Sequence, residues 1–69
     1  MKIDTISINL LAHSLSHASS TEVKTMKFDK KGFYSEALAY IENYATKNGY
    51  DLVNVAGSDT VYVFHLIKR

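Results

Sequence analysis

Residues 35–49 have the sequence Ser-Glu-Ala-Leu-Ala-Tyr-Ile-Glu-Asn-Tyr-Ala-Thr-Lys-Asn-Gly, which predicts a helix over about residues 35–48. The apolar side chains expected along its buried side are Tyr34, Leu38, Ile41 and Ala45. They recur at intervals that fit the 3.6-residue period of a helix. This helix is the natural element for the rest of the chain to pack against.

The ends of this helix carry their own signals. Ser35 is a candidate N-cap, because its hydroxyl can accept hydrogen bonds from free N–H groups of the first turn. Asn48-Gly49 supplies a stop that tolerates left-handed backbone angles. On the opposite side from the apolar stripe, we expect Tyr40, Asn43 and Lys47 to face solvent, where an exposed tyrosine is a candidate contact for a partner protein.

Two strands are expected before the helix. Residues 2–15 alternate apolar and polar side chains as a strand does, with a bulge near Leu11, although residues 10–16 also fit a short helix. Serine and threonine residues at 14–21 suggest a polar connection. Residues 22–29 form the second predicted strand.

Two further strands are expected after it. Residues 50–55 and 60–67 are rich in β-branched and aromatic residues, and the intervening Ala56-Gly57-Ser58-Asp59 contains turn formers. The last strand is apolar on both sides, which favours an internal position in a sheet. The fold class predicted is therefore α+β, in the order ββαββ, with the helix packed on one face of a four-stranded antiparallel sheet.

One helix cannot cover both faces of such a sheet, so an apolar second face is expected to bind a partner protein or a second copy. The residues expected to line this face are Val53, Val55, Val61, Val63 and Ile67.

Length and composition predict a single α+β domain over residues 1–69. The chain has no cysteine, a formal net charge of +1 and no apolar run near the length that spans a bilayer. Thiolate chemistry and disulfides are excluded, and we expect a soluble, cytoplasmic protein that is not associated with a membrane.

No grouping of residues predicts catalysis, a metal ion or a cofactor. His13 and His17 have a spacing that suits two metal ligands on a helix, but the serines around them predict solvated loop histidines. His65 is expected within a strand. Ser58 and Asp59 are explained by the turn, since the chain has no Gly-x-Ser-x-Gly sequence.

A local group of basic residues supports an alternative function in nucleic-acid binding. Its members are Lys24, Lys27, Lys30 and Lys31. Nearby aromatic side chains would supply a stacking surface for single strands. Lysines that protect an edge strand from aggregation explain the same pattern.

The second half of the chain resembles a small uncharacterised prokaryotic domain with a Leu-rich helix, a Gly-(Trp/Tyr)-x-Leu-Val segment and an aromatic strand. The matching segments are Gly49-Tyr50-Asp51-Leu52-Val53 and Tyr62-Val63-Phe64. Gly49-Tyr50-Asp51-Leu52-Val53 and Gly57-Ser58 are also similar to segments of RNA-cleaving toxins of the HicA type, with Asp59 at the position of their catalytic histidine. In size and architecture the chain also resembles small phage-encoded inhibitors, including anti-CRISPR proteins, which occlude a host protein.

These observations favour a non-enzymatic protein-binding module that needs no cofactor, such as a phage or mobile-element inhibitor that occludes a host protein. Nucleic-acid binding and a degenerate HicA-like toxin are the alternatives.

Overall fold

A computed structural model describes residues 1–29 and 32–69 of the chain. Its elements, in chain order, are β1 (Lys2–Asn9), β2 (Ser14–Ala18), β3 (Val23–Lys27), α1 (Phe33–Asn48), β4 (Asp51–Gly57) and β5 (Val61–Lys68). The strands form one antiparallel sheet of five strands in the order β3-β2-β1-β5-β4. The α+β class is confirmed, and the sheet has five strands rather than four.

The additional strand arises because the segment predicted as one strand over residues 2–15 folds back on itself. The side chain of Asn9 accepts hydrogen bonds from the N–H groups of Leu11 and Ala12, at 3.0 and 2.9 Å, which forms a tight turn. His13 completes the turn with a φ of 52°. Ser14 and Ser16 therefore belong to β2 rather than to a polar connection, and residues 10–16 form a turn and a strand instead of a helix.

The helix begins two residues earlier than predicted and ends where predicted. Gly32, not Ser35, is the N-cap, and Gly49 is the C-cap. Both glycines have positive φ, at 78° and 72°, and a left-handed backbone is far less strained at glycine than at other residues. The Gly49 N–H donates to the carbonyl of Ala45, which closes the last turn.

The buried side of α1 is rotated from the predicted stripe. Phe33, Ala37 and Ile41 are buried, whereas Leu38 is 36% exposed. Tyr40, predicted on the solvent side, is half-buried and contacts the sheet through a hydrogen bond to His17. The rotation has a physical reason: polar side chains on the helix-facing side of the sheet need partners, and the tyrosines of α1 supply them.

The core lies between α1 and the three inner strands. Its buried apolar residues are Ile6, Ile8, Leu15, Phe33, Ala37, Ile41, Phe64 and Leu66. β5 lies between β1 and β4, which confirms the internal position predicted for the last strand. Every residue of β4 is exposed, so the helix covers β1, β2 and β5 but leaves β4 uncovered.

Candidate functional site

A buried pair of ionisable residues lies beneath the helix. Asp4 of β1 is 1% exposed and His17 of β2 is 6% exposed. The strand register places His17 opposite Ile6, so its ring lies on the same face of the sheet as Asp4, two residues before Ile6. The His17 Nε2 atom lies 2.8 Å from Asp4 Oδ2. Buried charges of this kind are tolerated only with hydrogen-bonding partners.

Two tyrosines one helical turn apart supply those partners. The Tyr44 hydroxyl donates to Asp4 Oδ2 at 2.6 Å, and the Tyr40 hydroxyl lies 2.8 Å from His17 Nδ1. The His17 ring also meets the Tyr44 ring edge to face, with centroids 4.4 Å apart. We call Asp4, His17, Tyr40 and Tyr44 the buried polar network.

The proton positions follow from the chemistry of the groups. An ionised carboxylate only accepts, so His17 Nε2–H must donate to Asp4. In a neutral imidazole Nδ1 then accepts from the Tyr40 hydroxyl, and in a charged imidazolium it donates to the Tyr40 oxygen. Both ring nitrogens of His17 are occupied in either state.

The network favours an ionised Asp4 and a neutral Tyr44. Burial raises the pKa of the Asp4 carboxyl, but hydrogen bonding by Tyr44, His17 and Tyr50, together with the charge of a protonated His17, outweighs this effect, and the pKa lies below its ordinary value. Burial and the hydrogen bond to Asp4 raise the pKa of the Tyr44 hydroxyl far above its ordinary value.

The network opens into a small cleft of about 120 Å³ at the edge of β2 and β3. The residues that line the cleft are His17, Ser19, Glu22, Lys24, Tyr40 and Tyr44. His17 presents no unoccupied ring nitrogen to the cleft, because Asp4 holds Nε2 and the Tyr40 hydroxyl holds Nδ1. The arrangement stabilises the packing of the helix on the sheet.

A second feature lies at the opposite edge of the sheet, between α1 and the uncovered strand β4. A groove of about 380 Å³ is lined mainly by apolar side chains, with Glu42 and Thr46 on the helix. Its apolar lining residues are Leu38, Ile41, Ala45, Leu52 and Phe64. Leu52, Val53 and Val55 of β4 are 51, 47 and 49% exposed, so this edge carries a cluster of exposed apolar side chains. We call this region, together with the outer edge of β4, the β4 groove.

The structure separates the residues that were predicted to line one apolar face. Val61, Val63 and Ile67 alternate with the buried Phe64 and Leu66, so they face away from the helix, as predicted, and are half-buried.

Val55 and Val53 differ from the prediction for that face. Val55 pairs with Phe64 and therefore lies on the helix side of the sheet, so its predicted place on the second face is wrong. Val53 lies at an irregularity in the pairing between Leu52 and Asn54.

The face away from the helix is more polar than the prediction required. Val63 pairs with Ser7, and Val61 with Asn9. Among the described residues of β1 and β5, Ile3 and Ile67 are the one pair of large apolar side chains that lie directly opposite each other on this face. An antiparallel sheet with such a face can remain in contact with water.

The other helix residues predicted to contact a partner are exposed. Asn43 and Lys47 lie with Tyr40, Tyr44 and Asn48 around a shallow depression on the outer side of α1. Tyr40 is the member of the predicted group that the structure assigns instead to the buried polar network.

The predicted basic cluster is divided. Lys24 pairs with His17 on the helix side of the sheet, whereas Lys27 pairs with Ser14 and lies on the other side. Lys24 also forms an exposed ion pair with Glu22, at 3.5 Å. Lys30 and Lys31 lie outside the described residues. The described part of the cluster does not form one basic surface.

The remaining candidates are explained by the fold. The His13 ring packs against the Phe33 ring at a tilt of 33°, with centroids 4.8 Å apart. Ser58 closes the last hairpin by donating its N–H to the Val61 carbonyl at 2.9 Å. His65 lies within β5, opposite Thr5 and Asn54. Within residues 1–29 and 32–69, no group of three or more His, Asp or Glu side chains is placed to hold a metal ion.

Sequence reasoning missed Asp4 and the buried role of His17. Asp4 lies in the alternating pattern of β1 at a position whose side chain faces the core, which is the one signal that could have identified it. Its pairing with His17 depends on the first hairpin, which the sequence did not predict.

No protein-family model, curated protein or solved structure matches the chain. The part of the chain that the structure describes contains no helix long and apolar enough to cross a membrane.

Proposed function

We propose that this chain is a small, non-enzymatic protein-binding module that contacts its partner through the β4 groove. The observation that carries the proposal is the exposed apolar cluster formed by Leu38, Leu52, Val53 and Val55 at an unpaired edge of the sheet. A group of exposed apolar side chains beside an apolar groove supports a protein-interaction site.

The geometry of β4 supports this location over the opposite face of the sheet. On that face, Val61, Val63 and Ile67 of β5 are half-buried, and the more exposed Ile3, at 52%, lies opposite Ile67 toward the end of the strand pair. The side chains of β4 instead stand beside an open groove whose volume is within the range of ligand-binding pockets.

The buried polar network supports a non-enzymatic function. Its histidine has both ring nitrogens engaged, at 2.8 Å each, and its carboxylate accepts from His17 at 2.8 Å and from Tyr44 at 2.6 Å. The Tyr40 hydroxyl occupies the Nδ1 position that His17 would otherwise offer to a ligand in the cleft. The network therefore acts in folding, and the exposed groove is left as the interaction site.

Site-specific photo-crosslinking in the organism that encodes the chain tests the proposal. A photoreactive amino acid is introduced separately at Val55 in the groove, at Val63 on the opposite face and at Ser16 as a matched control. We expect a discrete adduct with another protein from position 55 and none from the other two. Absence of a protein adduct at all three positions would contradict the binding function, and adducts confined to position 63 would contradict its location.

A further inference from the structure

We infer that the β4 groove binds an extended segment of its partner, which adds to the sheet as a sixth strand beside β4 and carries basic residues. This inference rests on the proposed protein-binding function and specifies the class of partner. The structural basis is an unpaired strand edge, an apolar groove on one side of it and acidic side chains around it.

The hydrogen-bonding pattern of the last hairpin shows which groups of β4 are available. Ser58 N–H donates to the Val61 carbonyl, so residues 58 and 61 form a hydrogen-bonded pair. Hydrogen-bonded and non-hydrogen-bonded pairs alternate along an antiparallel ladder. The continuous register then makes Ala56–Val63 and Asn54–His65 hydrogen-bonded pairs, and leaves the N–H and C=O groups of Val55 and Gly57 directed outward from the sheet.

The two edges of the sheet differ in their protection. The other edge strand, β3, has the sequence Val-Lys-Thr-Met-Lys, and charged side chains on an edge strand oppose pairing with further strands. β4 has the sequence Asp-Leu-Val-Asn-Val-Ala-Gly, and its one charged residue is at its start. β4, which lies beside the apolar groove, therefore has no charged side chain along the rest of its length to oppose pairing with another strand.

An added strand would also fill the groove. Side chains of a strand alternate between the two faces of a sheet, so every second residue of the segment would point to the helix side. There it would meet Leu38 on the helix and Leu52 and Val55 on β4, which are all partly exposed. An extended segment with apolar residues at alternate positions would form hydrogen bonds with the free backbone groups of β4. Its apolar side chains would fill the groove, as in other cases of strand addition.

The charges around the groove favour a basic segment over a second copy of this chain. Glu42 lines the groove and forms no ion pair within the described part of the chain. Asp51 begins β4 and Asp59 follows it, so acidic residues outnumber Lys68, the one lysine of the neighbouring strand β5. A two-fold antiparallel pairing of β4 with its copy would bring Asp51 of one chain toward Asp59 of the other at both ends, and opposed like charges destabilise strand pairs.

Selection from a displayed library of random peptides about twelve residues long tests the inference on the purified full chain. We expect enrichment of sequences that alternate apolar residues and contain Lys or Arg. Val55→Lys should weaken binding of a selected synthetic peptide about tenfold or more, because it places a charge at the groove. The matched variant Thr25→Lys, on the opposite edge strand, should bind as the wild type does. Circular dichroism verifies that both variants are folded.

Backbone methylation of the selected peptide tests strand addition itself. Methylation of alternate amide nitrogens that face β4 should weaken binding about tenfold or more, while methylation of the intervening ones should have little effect. Glu42→Gln should weaken binding of a basic peptide about two- to fivefold, and Glu22→Gln, which removes one acid elsewhere, should not.

Several outcomes would overturn the inference. They are peptides without alternation or basic residues, equal effects of both methylation patterns, no enrichment over an unrelated control protein, and a β4-mediated dimer in sedimentation that Val55→Lys dissociates. None of the first three results would contradict a protein adduct obtained by photo-crosslinking at Val55. Failure of strand addition is therefore distinguishable from failure of the binding function.

Discussion

His17 and Asp4 are thirteen residues apart in the sequence, yet the Nε2 atom of His17 lies 2.8 Å from the Oδ2 atom of Asp4. The two side chains are buried by α1, which also places Tyr40 and Tyr44 within hydrogen-bonding distance of them. The helix therefore joins the sheet through a polar connection as well as through the apolar core.

Substitution of the buried carboxylate should destabilise the fold. In Asp4→Asn, the amide oxygen can still accept from His17 and Tyr44, which both bond to the same oxygen of Asp4, but it carries no charge, and the new NH2 group is a buried donor without an acceptor. We expect a loss of about 2–3 kcal/mol in the free energy of unfolding, measured by chemical denaturation. Asp51→Asn, at an exposed carboxylate, should change it by about 0.5 kcal/mol or less. Equal effects of the two substitutions would contradict the role of the network.

The same carboxylate should make the fold sensitive to acid. Burial raises the pKa of Asp4, but hydrogen bonding by Tyr44, His17 and Tyr50 outweighs it, so the pKa in the folded state is lower than in the unfolded chain. The unfolded state then binds the proton more readily, and this part of the stability is complete above the unfolded pKa and is lost as the pH falls through the folded pKa. Wild-type stability should fall more steeply than that of Asp4→Asn between about pH 5 and pH 2. Parallel curves would show that Asp4 has no lowered pKa.

The two tyrosines of the network should not be equivalent. Tyr44→Phe removes a hydroxyl that donates to the buried carboxylate at 2.6 Å, and it should cost about 1.5–3 kcal/mol, because hydrogen bonds to charged groups are the stronger ones. Tyr40→Phe removes a hydroxyl at the edge of the cleft and should cost about 0.5–1.5 kcal/mol, since water can replace it. Equal losses would contradict this ranking.

Alkaline titration provides an independent measurement of Tyr44. Burial and the hydrogen bond to Asp4 raise its pKa above the ordinary value of 10.0. The stability contributed by the neutral hydroxyl is therefore complete below the ordinary pKa and is lost as the pH rises toward the folded pKa. Ultraviolet absorbance should show that Tyr44 remains neutral until the protein unfolds, because Tyr44→Phe should remove ionisation at the highest pH.

The parts of the fold that the sequence predicted are those with strong local signals. The helix over residues 35–48 has the period of an amphipathic helix and a glycine stop, and the structure places it at Phe33–Asn48. The last hairpin has two apolar strands separated by turn formers. In each case neighbouring residues along the chain carry the information.

The parts that were missed depend on contacts between distant residues. The first turn contains neither glycine nor proline, and it forms because the Asn9 side chain caps two backbone N–H groups and His13 adopts a positive φ. Apolar periodicity favoured Leu38 over Tyr40 for the buried side of α1. The need of Asp4 and His17 for hydrogen-bond partners reversed that preference, and this need exists only after the first hairpin has formed.

The rotated orientation of the helix predicts different costs for two similar substitutions. Ile41 is 5% exposed in the core, so Ile41→Ala should destabilise the fold by about 2–4 kcal/mol. Leu38 is 36% exposed beside the β4 groove, so Leu38→Ala should cost about 1 kcal/mol or less. Denaturation midpoints of the two variants decide between this orientation and the one that apolar periodicity predicts, for which the costs would be similar.

Gly57 and Tyr62 should be energetically coupled across the last hairpin. The Tyr62 ring lies directly over Gly57, so a Cβ atom at position 57 would overlap its Cδ1 and Cε1 atoms, and the ring also packs near Tyr34, with centroids 5.8 Å apart. Gly57→Ala should therefore displace Tyr62 and cost about 1–3 kcal/mol. In a Tyr62→Ser background the added methyl group meets no ring, and the cost of Gly57→Ala should fall by about 1 kcal/mol or more. A double-mutant cycle measures this difference, and additive effects would show that the ring moves aside without cost.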